Sequence, residues 1–292
     1  MFNGKYIALL AVCVCLVPFT LSVPQLSAQT YTTIDIPGAI ETDANAINVG
    51  KSIAGFYFDS NGLSHGFVRS SSGTVHTIDI KGGSNTVAYG INDLGQAVGW
   101  YTSNSDGLVH GYLMAGGKYV KVDPPNSVTT NPWTVANDGK TIVGTYVSGT
   151  DGLFHGFIRK GGTYTTFDAP GGGTLTEILG VNRGGDMVGI FFDANGVQHG
   201  FELQGTTFTQ LDFPGAAVTA ADRINDRGWF VGLFGASSSG PFTGYINASG
   251  TYTSITFPNS TETRARGLNN AGDVVGRYTD ANGVIHGMLR TQ

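Results

Sequence analysis

Apolar and polar residues alternate along short runs of the chain, and the runs come back. Between residues 51 and 58, Ile53, Gly55 and Tyr57 face one way and Ala54, Phe56 and Phe58 the other, which is the period of a β-strand. The pattern predicts a four-strand unit, with strands at 43–47, 51–58, 65–70 and 75–80. The turns between them read Asn48-Val49-Gly50, Asp59-Ser60-Asn61-Gly62 and Ser71-Ser72-Gly73. Asn and Gly tolerate the positive φ that hairpin turns need. Beyond the N-terminus no stretch holds a helical period, so no helix longer than a turn is expected.

The unit is repeated. An asparagine recurs at Asn48, Asn92, Asn137, Asn182, Asn225 and Asn269, in steps of 43 to 45 residues. A glycine after an apolar pair recurs at Gly55, Gly99, Gly144, Gly189, Gly232 and Gly276. An acid closes each unit at Asp35, Asp79, Asp123, Asp168 and Asp212, with Thr256 in the sixth place. Six copies at a fixed period mean a repeat architecture. Four short strands in about 44 residues is the size of a propeller blade, whereas a β-helix rung is far shorter. The stretch at 31–36 matches the fourth strand of a unit and that at 286–290 matches the third. The expected fold is therefore all-β: a six-bladed β-propeller over residues 29–292, four antiparallel strands per blade, with the N-terminal strand completing the last blade.

Composition narrows the setting. Lys5, the apolar run from Tyr6 to Val23 and Leu26-Ser27-Ala28 read as a secretory signal peptide over residues 1–28. An uncleaved anchor is the alternative, against which Pro18 and Pro24 interrupt the run. Both cysteines, Cys13 and Cys15, fall inside it, so the mature chain has no disulfide or thiol chemistry to draw on. The expected location is extracellular, with periplasm or cell surface as variants. A net charge of -5 and no Lys/Arg cluster make nucleic acid and anionic membranes poor partners.

The repeat resembles the HAF-type extracellular repeat of secreted bacterial proteins, named for a His-Ala-Phe triplet. Here the triplet reads His65-Gly66-Phe67, His110-Gly111-Tyr112, His155-Gly156-Phe157, His199-Gly200-Phe201 and His286-Gly287-Met288. The preceding element is clearest at Asn269-Asn270-Ala271-Gly272-Asp273-Val274-Val275-Gly276. Glycine replaces the family's alanine throughout, and the fifth copy reads Thr243-Gly244-Tyr245. The resemblance implies secretion and a repeated β architecture, and no defined activity.

What repeats six times is read as scaffold. The histidines and closing acids stand one per unit, too far apart for a shared metal, and are expected to hydrogen-bond within or between neighbouring units. The Asp-x-Asn-Gly tips lack the downstream ligands of a calcium loop and read as hairpins. No metal or cofactor is expected. Each recurring asparagine is read as bonding the backbone two residues on.

A ligand site must come from what breaks the repeat. Aligned on the asparagine, the residue three before it is Asn45, Tyr89, Thr134, Leu179, Asp222 or Arg266, and five before it Asp43, Val87, Pro132, Glu177, Ala220 or Arg264. These positions should crowd one mouth of the channel. The candidate ligand-binding set is Arg223, Arg264, Arg266, Asp43, Glu177 and Asp222, with Trp133 and Tyr89 offering apolar faces to a ring or sugar. No nucleophile elbow, metalloprotease helix or P-loop motif is present. The expected function is a secreted binding module holding a glycan or peptide. The alternatives are an extracellular hydrolase or lyase with an acidic or metal-bound channel, and a ligand-free envelope protein with an apolar plug.

Overall fold

The computed structural model describes residues 29–291, every element of which is a strand, with no helix among them. The signal segment expected at 1–28 lies outside the described residues. A leading strand β1 (Thr30–Ile34) precedes five successive sets of four strands. The first set is β2 (Glu41–Ile47), β3 (Ile53–Phe58), β4 (Ser64–Arg69) and β5 (Val75–Ile78), and the second β6 (Gly83–Ile91), β7 (Ala97–Ser103), β8 (Val109–Ala115) and β9 (Lys118–Lys121). The third is β10 (Ser127–Val135), β11 (Thr141–Ser148), β12 (Phe154–Lys160) and β13 (Thr163–Phe167). The fourth is β14 (Gly172–Val181), β15 (Met187–Asp193), β16 (Gln198–Gln204) and β17 (Thr207–Leu211). The fifth is β18 (Val218–Ile224), β19 (Phe230–Gly235), β20 (Phe242–Ala248) and β21 (Thr251–Ile255). The chain ends with β22 (Glu262–Leu268), β23 (Val274–Thr279) and β24 (Ile285–Thr291).

Within each set the strands pair antiparallel in chain order. Strand β1 pairs antiparallel with β24, from Thr30↔Thr291 to Ile34↔Gly287, and supplies a fourth strand to β22–β24. Two single-residue parallel bridges, Thr129↔Val109 and Phe154↔Leu175, join the second, third and fourth sets into one larger sheet. The first strands of the sets touch in sequence, β2 to β6 to β10 to β14 to β18 to β22, and β22 touches β2.

The recurring glycine has a steric reason. A Cβ on Gly189 would sit 1.9 Å from the Glu177 carbonyl oxygen and 2.7 Å from the Phe201 ring, so only glycine lets the second strand lie this close to the first. Phe201 is itself fully buried, and burying such a side chain contributes about 1.5–3 kcal/mol.

The recurring asparagine does more than the expected local turn. Its Oδ1 accepts from the backbone four residues on, as in Ser52 N to Asn48 at 2.9 Å and Asp186 N to Asn182 at 2.9 Å. Its Nδ2 then donates to the main chain of the next set: Asn48 to Asn92 O at 3.1 Å, Asn225 to Asn269 O at 3.0 Å, and Asn269 back to Asn48 O at 3.3 Å. The sequence alignment slips by one residue in the third set. There Gly139 N donates to Ala136 O, the bond that Gly95 N makes to Asn92 O, so Ala136 and not Asn137 holds the asparagine's place. The turn is one residue longer, because Ala136 N reaches Thr141 O where Asn92 N reaches Gln96 O.

Candidate functional site

Every first strand carries a β-bulge at the same place. The ladders shift register between Ala44 and Ala46, Ala88 and Gly90, Pro132 and Thr134, Ile178 and Gly180, Ala221 and Arg223, and Ala265 and Gly267. A bulge leaves one residue outside the ladder and re-aims its side chain. The skipped residues are Asn45, Tyr89, Trp133, Leu179, Asp222 and Arg266, and together with Arg223 they line one recess. In the third set the residue in question is therefore Trp133, not Thr134, and by the same shift Asn131 replaces Pro132 two positions earlier.

Arg223 is placed differently from the sequence expectation. It follows the bulge, where the other sets carry Ala46, Gly90, Thr134, Gly180 and Gly267. Five small residues leave room for one long side chain. Its guanidinium donates to Leu179 O at 2.8 Å, Trp133 O and Tyr89 O at 3.0 Å, and Asn45 O at 3.4 Å. These are carbonyls of bulged residues from four different first strands. Arg223 is buried, and burial brings its pKa down to about 10 although Asp222 pulls it back up. Both Nη atoms are committed to the scaffold and the buried Nε has no partner among the described residues, so the side chain acts as a structural plug rather than a ligand contact. The plug is polar, unlike the apolar one a ligand-free channel would carry. It lines two recesses: the one on the bulge side holds room for about 10 Å³, roughly one water, and that on the asparagine side about 60 Å³.

Of the remaining candidates, Tyr89, Trp133, Asp222 and Arg266 line the bulge-side recess, and Asp43, Glu177 and Arg264 do not. Arg266 Nη1 lies 3.5 Å from Asp222 Oδ2, and Arg264 Nε donates to Glu262 Oε1 at 2.6 Å. Burial works against the Arg266 charge, but Asp222, Asp43, Tyr89 and Glu177 together outweigh it and raise the pKa. Tyr89 packs against Trp133 with centroids 4.0 Å apart and the rings tilted by 32°, and the Trp133 indole N–H donates to Thr145 Oγ1 at 3.2 Å. Asp43 is buried and accepts from Arg277 Nη1 at 2.9 Å through Oδ2, while its Oδ1 has no partner among the described residues. Glu177 forms no ion pair or side-chain hydrogen bond there. Burial and then the Asp222 charge raise it from 4.5 to about 7, Arg266 opposing.

Sequence reasoning missed Arg277, which also reaches Glu41 at 3.4 Å. It breaks the repeat too, standing where the other second strands carry Phe56, Trp100, Thr145, Ile190 and Leu233. The signal lies in the second strand rather than the first. The repeated histidines keep to their own units. His65, His110, His155 and His199 place Nδ1 2.7–2.8 Å from Asp79, Asp123, Asp168 and Asp212, and His286 reaches Asp35 at 3.0 Å across the β1–β24 seam. The fifth set has lost both partners together, as Thr243 and Thr256.

No family model matches the chain, and no curated protein does. Solved structures do. The β-propeller domain of the Trilobed protease from Pyrococcus furiosus aligns with TM-score 0.53 at 9% identity, over 85% of this chain and 95% of that one. The six-bladed β-propeller lectin of Aleuria aurantia, described with a fucose recognition mode, aligns with TM-score 0.52 at 10% identity, over 88% and 93%. SapL1 lectin, solved with α-methyl fucoside, aligns with TM-score 0.54 at 9% identity, over 85% and 92%. At such identities the likeness concerns the fold: this chain is an all-β protein of β-propeller type.

Proposed function

We propose that the chain is a secreted six-bladed β-propeller, four antiparallel strands per blade and sealed by its N-terminal strand, that binds a saccharide across the mouth formed by Asp43, Tyr89, Trp133, Glu177, Asp222, Arg264 and Arg266. The observation that carries the reading is the shared bulge, which turns the residue at which the copies differ toward one axis while the repeated residues stay in the scaffold. The pairing of β1 with β24 and the contact of β22 with β2 support closure. The likeness to HAF-type repeats and to lectins solved with fucosides belongs with this reading. Carboxylates and guanidiniums in paired arrays beside an indole face are the donors and acceptors that sugar hydroxyls use. Because the recess over Arg223 admits only a water, the ligand lies across the mouth. A glycan array with the mature protein, followed by calorimetry on Arg266→Ala and Glu177→Gln, tests it. A loss of affinity of about tenfold is expected in each variant for a single charged contact, and unchanged affinities for every bound glycan would remove this site.

One observation favours hydrolysis as a second reading. Glu177, raised to about 7 beside Asp222, has the character of a general acid near a second carboxyl. New reducing ends from a bound glycan, lost in Glu177→Gln, would select it.

A further inference from the structure

A further recess lies apart from the two that Arg223 lines, in a cleft of about 280 Å³ between the first and second sets. Phe56 and Phe58 of β3 form one wall, their rings at 5.6 Å and 86°. Trp100 of β7 and Val87 of β6 form another. The polar groups along it are uncharged: Ser64, Asn85 and Thr102. Asn85 sits at φ 50°, in a second register shift between Ser84 and Val87, and its Oδ1 accepts from Ser64 N at 3.2 Å. That leaves the amide N–H₂ of Asn85 as a donor along the cleft. Phe56 and Trp100 occupy the position that is Thr145, Ile190, Leu233 or Arg277 in the other sets, so the aromatic pair is confined to this one junction. Tyr89 lines both this cleft and the axial recess. The chain of rings from Trp100 past Tyr89 to Trp133 is therefore continuous with the mouth.

We propose that this cleft is a second saccharide subsite, which takes an uncharged pyranose of an extended glycan whose neighbouring residue lies over the mouth. The apolar face of the sugar stacks on Trp100 and Phe56, and its hydroxyls bond Asn85, Ser64 and Thr102. An ionised sugar is disfavoured, because no charged side chain lines the cleft to compensate its desolvation. The inference rests on the saccharide reading above but on different residues.

The test labels the protein with 5-fluorotryptophan, whose three resonances are assigned from single Trp→Phe variants. It is titrated with neutral methyl glycosides and with linear tri- to hexasaccharides of glucose, xylose, mannose and N-acetylglucosamine. The expected result is movement of the Trp100 resonance with an oligosaccharide that binds more tightly than its monosaccharide. Trp100→Ala, and separately Phe58→Ala, weaken that oligosaccharide about tenfold, and circular dichroism reports whether each variant keeps its fold. If Arg266→Ala and Glu177→Gln change nothing while Trp100 still responds, the subsite stands and the mouth reading falls. If the mouth variants weaken binding but neither the Trp100 signal nor the Trp100→Ala affinity changes, the subsite falls alone. No response to any saccharide, or a response only to aromatic peptides, overturns it.

Discussion

Replacing Arg223 with alanine takes the guanidinium away from four carbonyls, of which only Leu179 O keeps another side-chain donor among the described residues, Thr134 Oγ1 at 2.7 Å. Four bulged residues, Asn45, Tyr89, Trp133 and Leu179, present their oxygens to its guanidinium at 2.8–3.4 Å. A hydrogen bond to a charged group contributes roughly 1.5–3 kcal/mol, and an abandoned buried acceptor costs about 1–3 kcal/mol. The contributions do not add, since the four bonds share one charge, and water can enter the space left behind. Against them stands the desolvation of the arginine itself, visible in its lowered pKa of about 10. Removal of one partner from a buried charged network typically costs about 3–5 kcal/mol, and the same figure is expected here. For a domain of this size that is a fall in Tm on the order of 10 °C. Arg223→Lys should lie in between, because an ammonium is a point charge without the planar fork. Urea unfolding of wild type, Arg223→Ala, Arg223→Lys and the rim variant Arg264→Ala provides the assay. A loss below about 1 kcal/mol for Arg223→Ala, or a loss equal to that of Arg264→Ala, would refute the idea that one guanidinium clamps the inner strands.

Glu177 gives a pH prediction. Its carboxyl stands at about 7 in the folded chain against 4.5 unperturbed, so the folded state binds the proton more tightly. The associated stability is fully present below pH 4.5 and is lost as pH rises through 7, by roughly 3 kcal/mol at most. Glu177→Gln should flatten the dependence and stabilise the protein at pH 8; Tm values at pH 5 and 8 that fall in parallel for both proteins would rule this out. Gly189→Ala should destabilise by about 3 kcal/mol or more, because the added methyl meets the fixed Glu177 carbonyl at 1.9 Å. Gly196→Ala, where nothing lies within 4 Å and φ is +78°, should cost only about 1 kcal/mol from the left-handed backbone. Equal losses in the two, read from chemical denaturation, would contradict the close-approach argument.

How far the sequence reached depended on whether a signal repeats. The alternation around Ile53, the hairpin tips and the sixfold glycine are local and were sufficient for an all-β chain of β-propeller type. Even strand ends came within a few residues, as with β2, which begins at Glu41 rather than residue 43. That Asn45, Tyr89, Asp222 and Arg266 line one recess together was also legible, because a repeated unit can only place equivalent residues equivalently. The slip in the third set was not, since its turn carries one extra residue and Asn137 looks like the marker when Ala136 holds its place. Nor could the sequence separate Arg223 from Arg266: both are arginines where other copies are not. The bulge decides it, because skipping one residue sends Arg266 toward Asp222, and Arg223 to four carbonyls from other strands. Covalent order determines which residues are neighbours in a strand; only the packing of the strands against one another determines which side chains have space, and which carbonyls need a donor.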